Sequence, residues 1–217
     1  MFNFLHTYNP QPVLFEIGWF RIHWYGLIVV IAILLGLWLI TRLAQRQKFD
    51  KEQWDRLIFY TLIFGLIGAR LYHVFLEWTY YQEHLLEIFK VWQGGMAIHG
   101  AIIFGGITVY LFCRKYNWPL FLILDIMALG LILGQAIGRW GNYFNQEIFG
   151  LPTNLPWGIF ISEANRPMEL MSQVYFHPTF LYESLLNLLL FILLYLGFTR
   201  LIRLPGMVFS SYLVGYS

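Results

Sequence analysis

The chain has 217 residues, of which 59% are hydrophobic, 20% aromatic and only 12% charged, whereas about 25% of residues are charged in an ordinary soluble domain. That balance excludes a soluble globular domain, and a formal net charge of +2 gives no basis for a nucleic-acid partner, which needs Lys and Arg clustered on one face. The single cysteine, Cys113, leaves no internal disulfide and no zinc cluster.

At this length about five to seven spans of roughly 20 residues fit. The N-terminus lacks the basic region, apolar stretch and cleavage site of a signal peptide, so the first apolar segment is expected to stay in the membrane. That segment is Ile22 to Ile40, almost unbroken aliphatic from Ile28 to Leu35, with Thr41 and Arg42 at its exit. The second runs from Leu57 to Leu76 and contains Arg70. The third, Met96 to Cys113, opens with His99 among glycines. The fourth covers Pro119 to Gly138 and the fifth Thr179 to Phe198, with a long non-helical stretch, Arg139 to Pro178, between them. A sixth apolar run begins at Gly206 and reaches Ser217 after about 12 residues, too few to cross a ~30 Å hydrocarbon core. The predicted fold is all-α: a polytopic helical membrane protein, one integral membrane domain over residues 1–217, with five full spans, a cut sixth and a small external subdomain at about 139–178.

Short cytoplasmic loops accumulate Lys and Arg. Arg42, Arg46, Lys48, Lys51 and Arg56 follow the first span, Arg114 and Lys115 the third, and Arg200 and Arg203 the fifth. These loops are assigned to the inside, and the N-terminus, with Arg21, to the outside. Trp19, Trp24 and Tyr25 then sit where aromatic side chains anchor at the interface. With this topology most polar residues of the spans fall near the outer surface, which predicts a polar cavity in the outer leaflet.

Arg139 stands out, because a guanidinium stays charged and offers a planar fork that matches phosphate oxygens. An isolated arginine at a span end would be read as snorkelling to the interface. Here Gly138 and Gly141 allow close approach of a headgroup, Asn142 and Asn145 add donors and acceptors, and Glu147 is placed to hold the arginine. Histidine is the residue type suited to removing a proton from a thiol or hydroxyl, which singles out His99; the competing reading is a helix-packing histidine bonded to a carbonyl. Tyr25 is either a donor to a carbonyl or phosphate oxygen or a belt tyrosine. Arg70, inside an apolar span, requires a partner: Glu147, Glu183 or a lipid phosphate. Cys113 is read as a packing residue and Asp125 as a helix-packing carboxylate. Nucleotide-binding glycine motifs, H-E-x-x-H and G-x-S-x-G are all absent. The bare chemistry leaves two other readings besides an enzyme: a transporter for a lipid or anionic solute, and a membrane scaffold.

The run Gly138-Arg139-Trp140-Gly141-Asn142-Tyr143-Phe144-Asn145-Gln146-Glu147 resembles the G-R-x-G-N-F-x-N-x-E signature of the prolipoprotein diacylglyceryl transferases, with Tyr143 in place of the usual Phe. The likeness extends in order through His23-Trp24-Tyr25-Gly26, Gly68-Ala69-Arg70, Trp92-Gln93-Gly94-Gly95-Met96, His99-Gly100, His177-Pro178 and Leu181-Tyr182-Glu183. The resemblance implies a seven-span enzyme of the bacterial plasma (inner) membrane, with its site facing the outer leaflet. Such an enzyme moves a diacylglyceryl group from phosphatidylglycerol to the lipobox cysteine of a prolipoprotein signal peptide, forming a thioether and releasing glycerol 1-phosphate. It implies no cofactor and no metal; the partners are phosphatidylglycerol, the prolipoprotein and the surrounding membrane lipids. It also implies roles: His99 as base, Arg139 on the departing phosphate and Asn142 orienting the headgroup. Tyr25, Asn145, Glu147 and Gly150 complete the pocket, with Arg70 a further candidate. Val214 to Ser217 resembles the start of the family's penultimate span, beyond which further arginine and glutamate residues are expected.

Overall fold

The computed structural model describes residues 6–18, 20–201 and 204–216. Trp19 of the expected interface belt, Arg203 of the basic loop and Ser217 lie outside the described residues. The chain divides into two compact units, Met1–Ile40 with Leu124–Ser217, and Thr41–Ile123.

In the first unit the strands β1 (Val13–Ile17) and β2 (Phe20–His23) form an antiparallel hairpin in which Val13 pairs with His23. Gly18 turns it with φ +60°, a conformation that costs glycine little because it has no Cβ. Helix α1 (Trp24–Arg46) starts directly after β2, and the Trp24 N–H donates to the Pro12 carbonyl at 3.0 Å. The first helix therefore begins at Trp24 rather than at Ile22, because Ile22 and His23 are committed to the hairpin ladder opposite Phe15 and Val13.

Four further helices follow: α2 (Lys51–Leu76), α3 (Ile98–Tyr116), α4 (Leu120–Asn145) and α5 (Thr179–Leu196), with a short α6 (Met207–Tyr216) after them. Within the first unit α1 approaches α4 closely where two glycines meet, since a Cβ built on Gly36 would lie 3.2 Å from the Gly130 carbonyl oxygen. Ile126, Leu129 and Ile132 on α4 are fully buried. The start of α6 is capped from α4: Asp125, only 2% exposed, accepts from the backbone N–H of Gly206 at 2.7 Å and of Phe209 at 2.8 Å. Its carboxylate thus satisfies two of the donors that a helix start leaves open, rather than reaching for an aqueous interface.

The stretch expected to be non-helical from Arg139 is helical as far as Asn145. Gln146, with φ +52°, ends that helix. Beyond it the segment folds on a small apolar core of Tyr143, Ile159, Ile161, Phe176 and Phe180, closed by the two-residue strands β3 (Ile159–Phe160) and β4 (Tyr175–Phe176). The fold is thus mainly helical, as the apolar periodicity requires, but it carries two small sheets that the all-α expectation omitted.

The second unit is built on α2 and α3. Asp50 caps α2 by accepting from the Gln53 N–H at 2.9 Å, and Asn117 ends α3 in the left-handed conformation at φ +53°. The helices cross at Gly68 and Gly100, where a Cβ on Gly100 would lie 2.1 Å from the Gly68 oxygen. Only glycine permits that approach, the small-residue contact on which helix association in lipid relies.

Four helices, Trp24–Arg46, Lys51–Leu76, Leu120–Asn145 and Thr179–Arg200, are long and apolar enough to cross a membrane. They leave Val30, Leu34, Phe59, Leu66, Leu186 and Leu193 exposed, which is costly in water and natural against lipid tails. The protein is a helical, multi-pass membrane protein. The remaining expected span is α3, whose 19 residues carry His99 in the first turn and Arg114 and Lys115 in the last.

Candidate active site

The last two turns of α4 carry the densest polar cluster of the first unit. Arg139 and Asn142 follow at helical spacing, so they share a face, and Gln146 lies just beyond the end of the helix. Arg139 is held by Glu183 of α5, with Nε 2.6 Å from Oε2, and both side chains stay partly exposed. Its Nη2 donates to the Tyr216 hydroxyl at 3.3 Å. Among the described residues Nη1 has no protein partner, so part of the fork remains available for an anion.

The carboxylate expected to hold Arg139, Glu147, does something else. Its Oε1 accepts from Asn142 Nδ2 at 2.9 Å and from Asn145 Nδ2 at 3.3 Å. Both amides are thereby oriented, and the arginine is positioned from a different helix. Sequence alone does not pair Glu183 with Arg139, because only tertiary structure brings the two together; the place of Glu183 in the Leu181-Tyr182-Glu183 run is the available signal.

Tyr25 lies against the same stretch of α4, for a Cβ on Gly141 would come within 2.7 Å of Tyr25 Cδ2. Gly141 is therefore required for the aromatic ring to pack beside Asn142, in addition to any access it gives a headgroup. Gly150 has a comparable reason: a Cβ there would be 2.9 Å from His177 Cβ, and its N–H donates to the His177 carbonyl at 3.0 Å. Tyr182, next to Glu183, receives a hydrogen bond from Trp157 Nε1 at 2.9 Å and lies 3.1 Å from His177 Nδ1.

Gln146, assigned no role by the sequence, is the hub that fixes the surroundings. Buried to 6% exposure, it donates from Nε2 to Asn9 Oδ1 and the Pro10 carbonyl, and through Oε1 it accepts from the Ser162 N–H at 2.6 Å and from Asn165 Nδ2. A single amide thus joins the N-terminal segment and the 146–178 segment to the end of α4. Tyr143 contributes its ring to the adjacent core, while its buried hydroxyl has no hydrogen-bond partner among the described residues.

His99 and Arg70 belong to the second unit. His99 sits exposed in the first turn of α3, its ring 6.0 Å from that of Tyr72. Arg70 is 7% exposed, and within the second unit its guanidinium is bonded to backbone carbonyls. Nε donates to the Ile88 carbonyl at 2.8 Å, Nη1 to the carbonyls of Gly94 and Gly95 at 2.8 and 2.9 Å, and Nη2 to that of Glu87. Four of its five donors are therefore occupied by backbone, and Tyr81 stacks 5.2 Å from the guanidinium carbon. Gly94 and Gly95 adopt φ +89° and +73°, and a Cβ on Gly95 would lie 2.6 Å from Arg70 Nη1. The glycines turn their carbonyls onto the arginine just before α3 begins, and the Ala97 N–H is fixed on the Ala69 carbonyl at 3.0 Å. Arg70 holds the approach to His99.

No group of three or more His, Cys, Asp or Glu side chains suited to a metal ion occurs among the described residues. Cys113 is buried.

The sequence profile of the prolipoprotein diacylglyceryl transferases matches residues 12–217. A relative named phosphatidylglycerol--prolipoprotein diacylglyceryl transferase from Synechocystis sp. (strain ATCC 27184 / PCC 6803 / Kazusa) is 45% identical over 214 residues, covering 96% of this chain and 76% of the relative. Relatives of the same name are 47% identical in Synechococcus sp. (strain CC9902), over 96% of this chain and 76% of theirs, and 46% identical in Nostoc sp. (strain PCC 7120 / SAG 25.82 / UTEX 2576), over 99% and 77%. The chain belongs to the prolipoprotein diacylglyceryl transferase family.

Proposed function

We propose that this protein transfers a diacylglyceryl group from phosphatidylglycerol to the cysteine thiol of a prolipoprotein, the first step of lipoprotein maturation. Family membership supports the reaction, and the observation that carries its placement is Arg139: a partly exposed guanidinium anchored at Nε by Glu183, with Nη1 unclaimed among the described residues. In the reaction the thiol sulfur forms a bond to the glyceryl carbon as the carbon–oxygen bond to phosphate breaks. The electron pair leaves with the phosphate of glycerol 1-phosphate, and the thiol proton passes to a base.

Arg139 is assigned to the phosphate that gains charge, a role in which a preoriented cation lowers the barrier. Asn142 and Asn145, held by Glu147, orient the headgroup, and Tyr25 and Gly150 shape the pocket beside them. A free thiol has a pKa of about 8.5, so a base is needed near neutrality; His99 is assigned to it, because imidazole is the side chain most often used as a general base. Arg70 contributes by holding the segment that leads to His99. Five crossings including α3, an external N-terminus and a site in the outer leaflet of the bacterial plasma membrane fit the distribution of Lys and Arg. The prolipoprotein is engaged through its lipobox. A lipid or anionic-solute transporter is not favoured.

The test is transfer of labelled diacylglyceryl from phosphatidylglycerol to a lipobox peptide by the purified chain. Arg139→Gln removes the charge at the phosphate and is expected to lower turnover by on the order of 100-fold or more; His99→Ala is expected to lower it and flatten its dependence on pH. Normal transfer by both folded variants would overturn the assignments.

A further inference from the structure

Between α2 and α3 the chain forms one helical turn, Trp78–Tyr81, and two 3-10 turns, Leu85–Phe89 and Val91–Gln93. Tyr81 is buried against Arg70, but most of the segment's large apolar side chains are exposed. Leu86, Phe89 and Trp92 are 80%, 73% and 76% exposed. Leu86 and Phe89, three residues apart on one 3-10 turn, eclipse one another, and Trp92 follows on the next turn.

We propose that Trp78–Gln93 is an in-plane membrane anchor whose Leu86, Phe89 and Trp92 side chains lie in lipid at the headgroup boundary. Three observations support lipid as the occupant. The segment continues a membrane-crossing helix: the last residues of α2, Phe75 and Leu76, are exposed and lead straight into exposed Trp78 and Tyr80, the residue types that settle at the headgroup level. The polar edge is closed on itself, with the Tyr80 hydroxyl donating to Glu87 Oε2 at 2.6 Å and Lys90 Nζ to Oε1 at 3.1 Å, so that edge needs no partner. The backbone is satisfied from within, because Arg70 donates to the carbonyls of Glu87, Ile88, Gly94 and Gly95. Irregular backbone beside hydrocarbon must be satisfied by protein, since no water is there to do it. Amphipathic elements of this kind bury their apolar face about 5–10 Å into the boundary. The inference rests on α2 crossing the membrane and does not depend on the transferase assignment.

The test uses the full chain with Cys113→Ser, reconstituted in vesicles of phosphatidylcholine and phosphatidylglycerol. Nitroxide labels are placed at Leu86→Cys, Phe89→Cys and Trp92→Cys, with Glu83→Cys as the aqueous control. Power saturation should show greater access of oxygen than of a water-soluble nickel chelate at all three sites, and the reverse at residue 83. The proposal is overturned if nickel access exceeds oxygen access at two or more of the three, which marks water. It is equally overturned if both reagents are excluded from two or more, which marks a covering protein such as a second copy or the substrate peptide. A chain without labels guards against disturbed folding. Lipids brominated high in the acyl chain should quench more of its tryptophan fluorescence than that of Trp92→Phe, and equal quenching would count against the anchor.

Discussion

Replacing Arg70 by methionine keeps an unbranched apolar stem and removes the guanidinium. Four charge-assisted hydrogen bonds to carbonyls are lost, each contributing roughly 1.5–3 kcal/mol. The sum is an upper bound, because Gly94 is exposed and Glu87, Ile88 and Gly95 are half-buried, so their carbonyls regain some water, and because the cost of burying the charge disappears as well. A net local loss of about 3 kcal/mol remains, which corresponds to roughly 100-fold in the opening equilibrium of the segment at 1.4 kcal/mol per decade. Hydrogen exchange of the reconstituted protein reads this directly. The amides of Lys90, Gln93, Gly94 and Ala97, all hydrogen-bonded within this unit, should exchange about 100-fold faster, while those around Leu129 and Ile132 on α4 keep their protection. Unchanged exchange over residues 88–97 would refute the view that Arg70 holds the segment. Uniformly faster exchange throughout would refute the view that its effect is local.

Gly100→Ala puts a methyl group where the Gly68 oxygen stands 2.1 Å away, so α2 and α3 must separate. A loss of about 1–3 kcal/mol should appear as a lower midpoint in thermal unfolding followed by labelling of buried Cys113. Tyr143→Phe removes a buried hydroxyl without a partner and should raise the same midpoint, by about 1–2 kcal/mol of stability, with transfer activity retained. The Tyr80 hydroxyl, and after it Lys90, hold the Glu87 carboxyl below its ordinary value of 4.5. A carboxyl lowered on folding stabilises the folded segment above that ordinary value, and the contribution is lost as pH falls through the lowered one. Exchange over residues 84–93 should therefore quicken below about pH 4.5 more in the wild type than in Glu87→Gln, after correction for intrinsic rates.

The membrane class and most helices were legible because aliphatic runs such as Ile28 to Leu35 leave little else for the chain to do. The end of α4 was not. Gly138 and Gly141 look like breaks in one dimension, yet helix continues through them: Tyr25 packs onto Gly141, and Gln146, not Arg139, carries the positive φ that stops it. The hairpin β1–β2 lay just ahead of the first apolar run, where Ile22 and His23 gave no sign that they were strand. In the cluster, residue types were legible and pairings were not. Glu147 is five residues from Asn142 and Glu183 is far from Arg139 in sequence, so nearness along the chain suggested the wrong carboxylate for the arginine. Arg70 was recognised as needing a partner, but backbone carbonyls carry no sequence signature.

Arg70, Asp125 and Gln146 share a property that separates them from Arg139. Each is buried and bonded mainly to irregular backbone or helix starts: carbonyls before α3, N–H groups opening α6, and the N-terminal and 146–178 segments. A polar side chain that reaches such backbone groups stabilises the fold by satisfying them where helix and sheet ladders do not. An ionisable residue within a span is therefore a structural device when its donors or acceptors are consumed, whatever its depth. Arg139 differs in having one end of its fork fixed by Glu183 and another unclaimed, which is the arrangement required of a cation that must be positioned before an anion arrives. Counting occupied donors separates Arg70 from Arg139, a distinction that residue type, hydropathy and depth leave open.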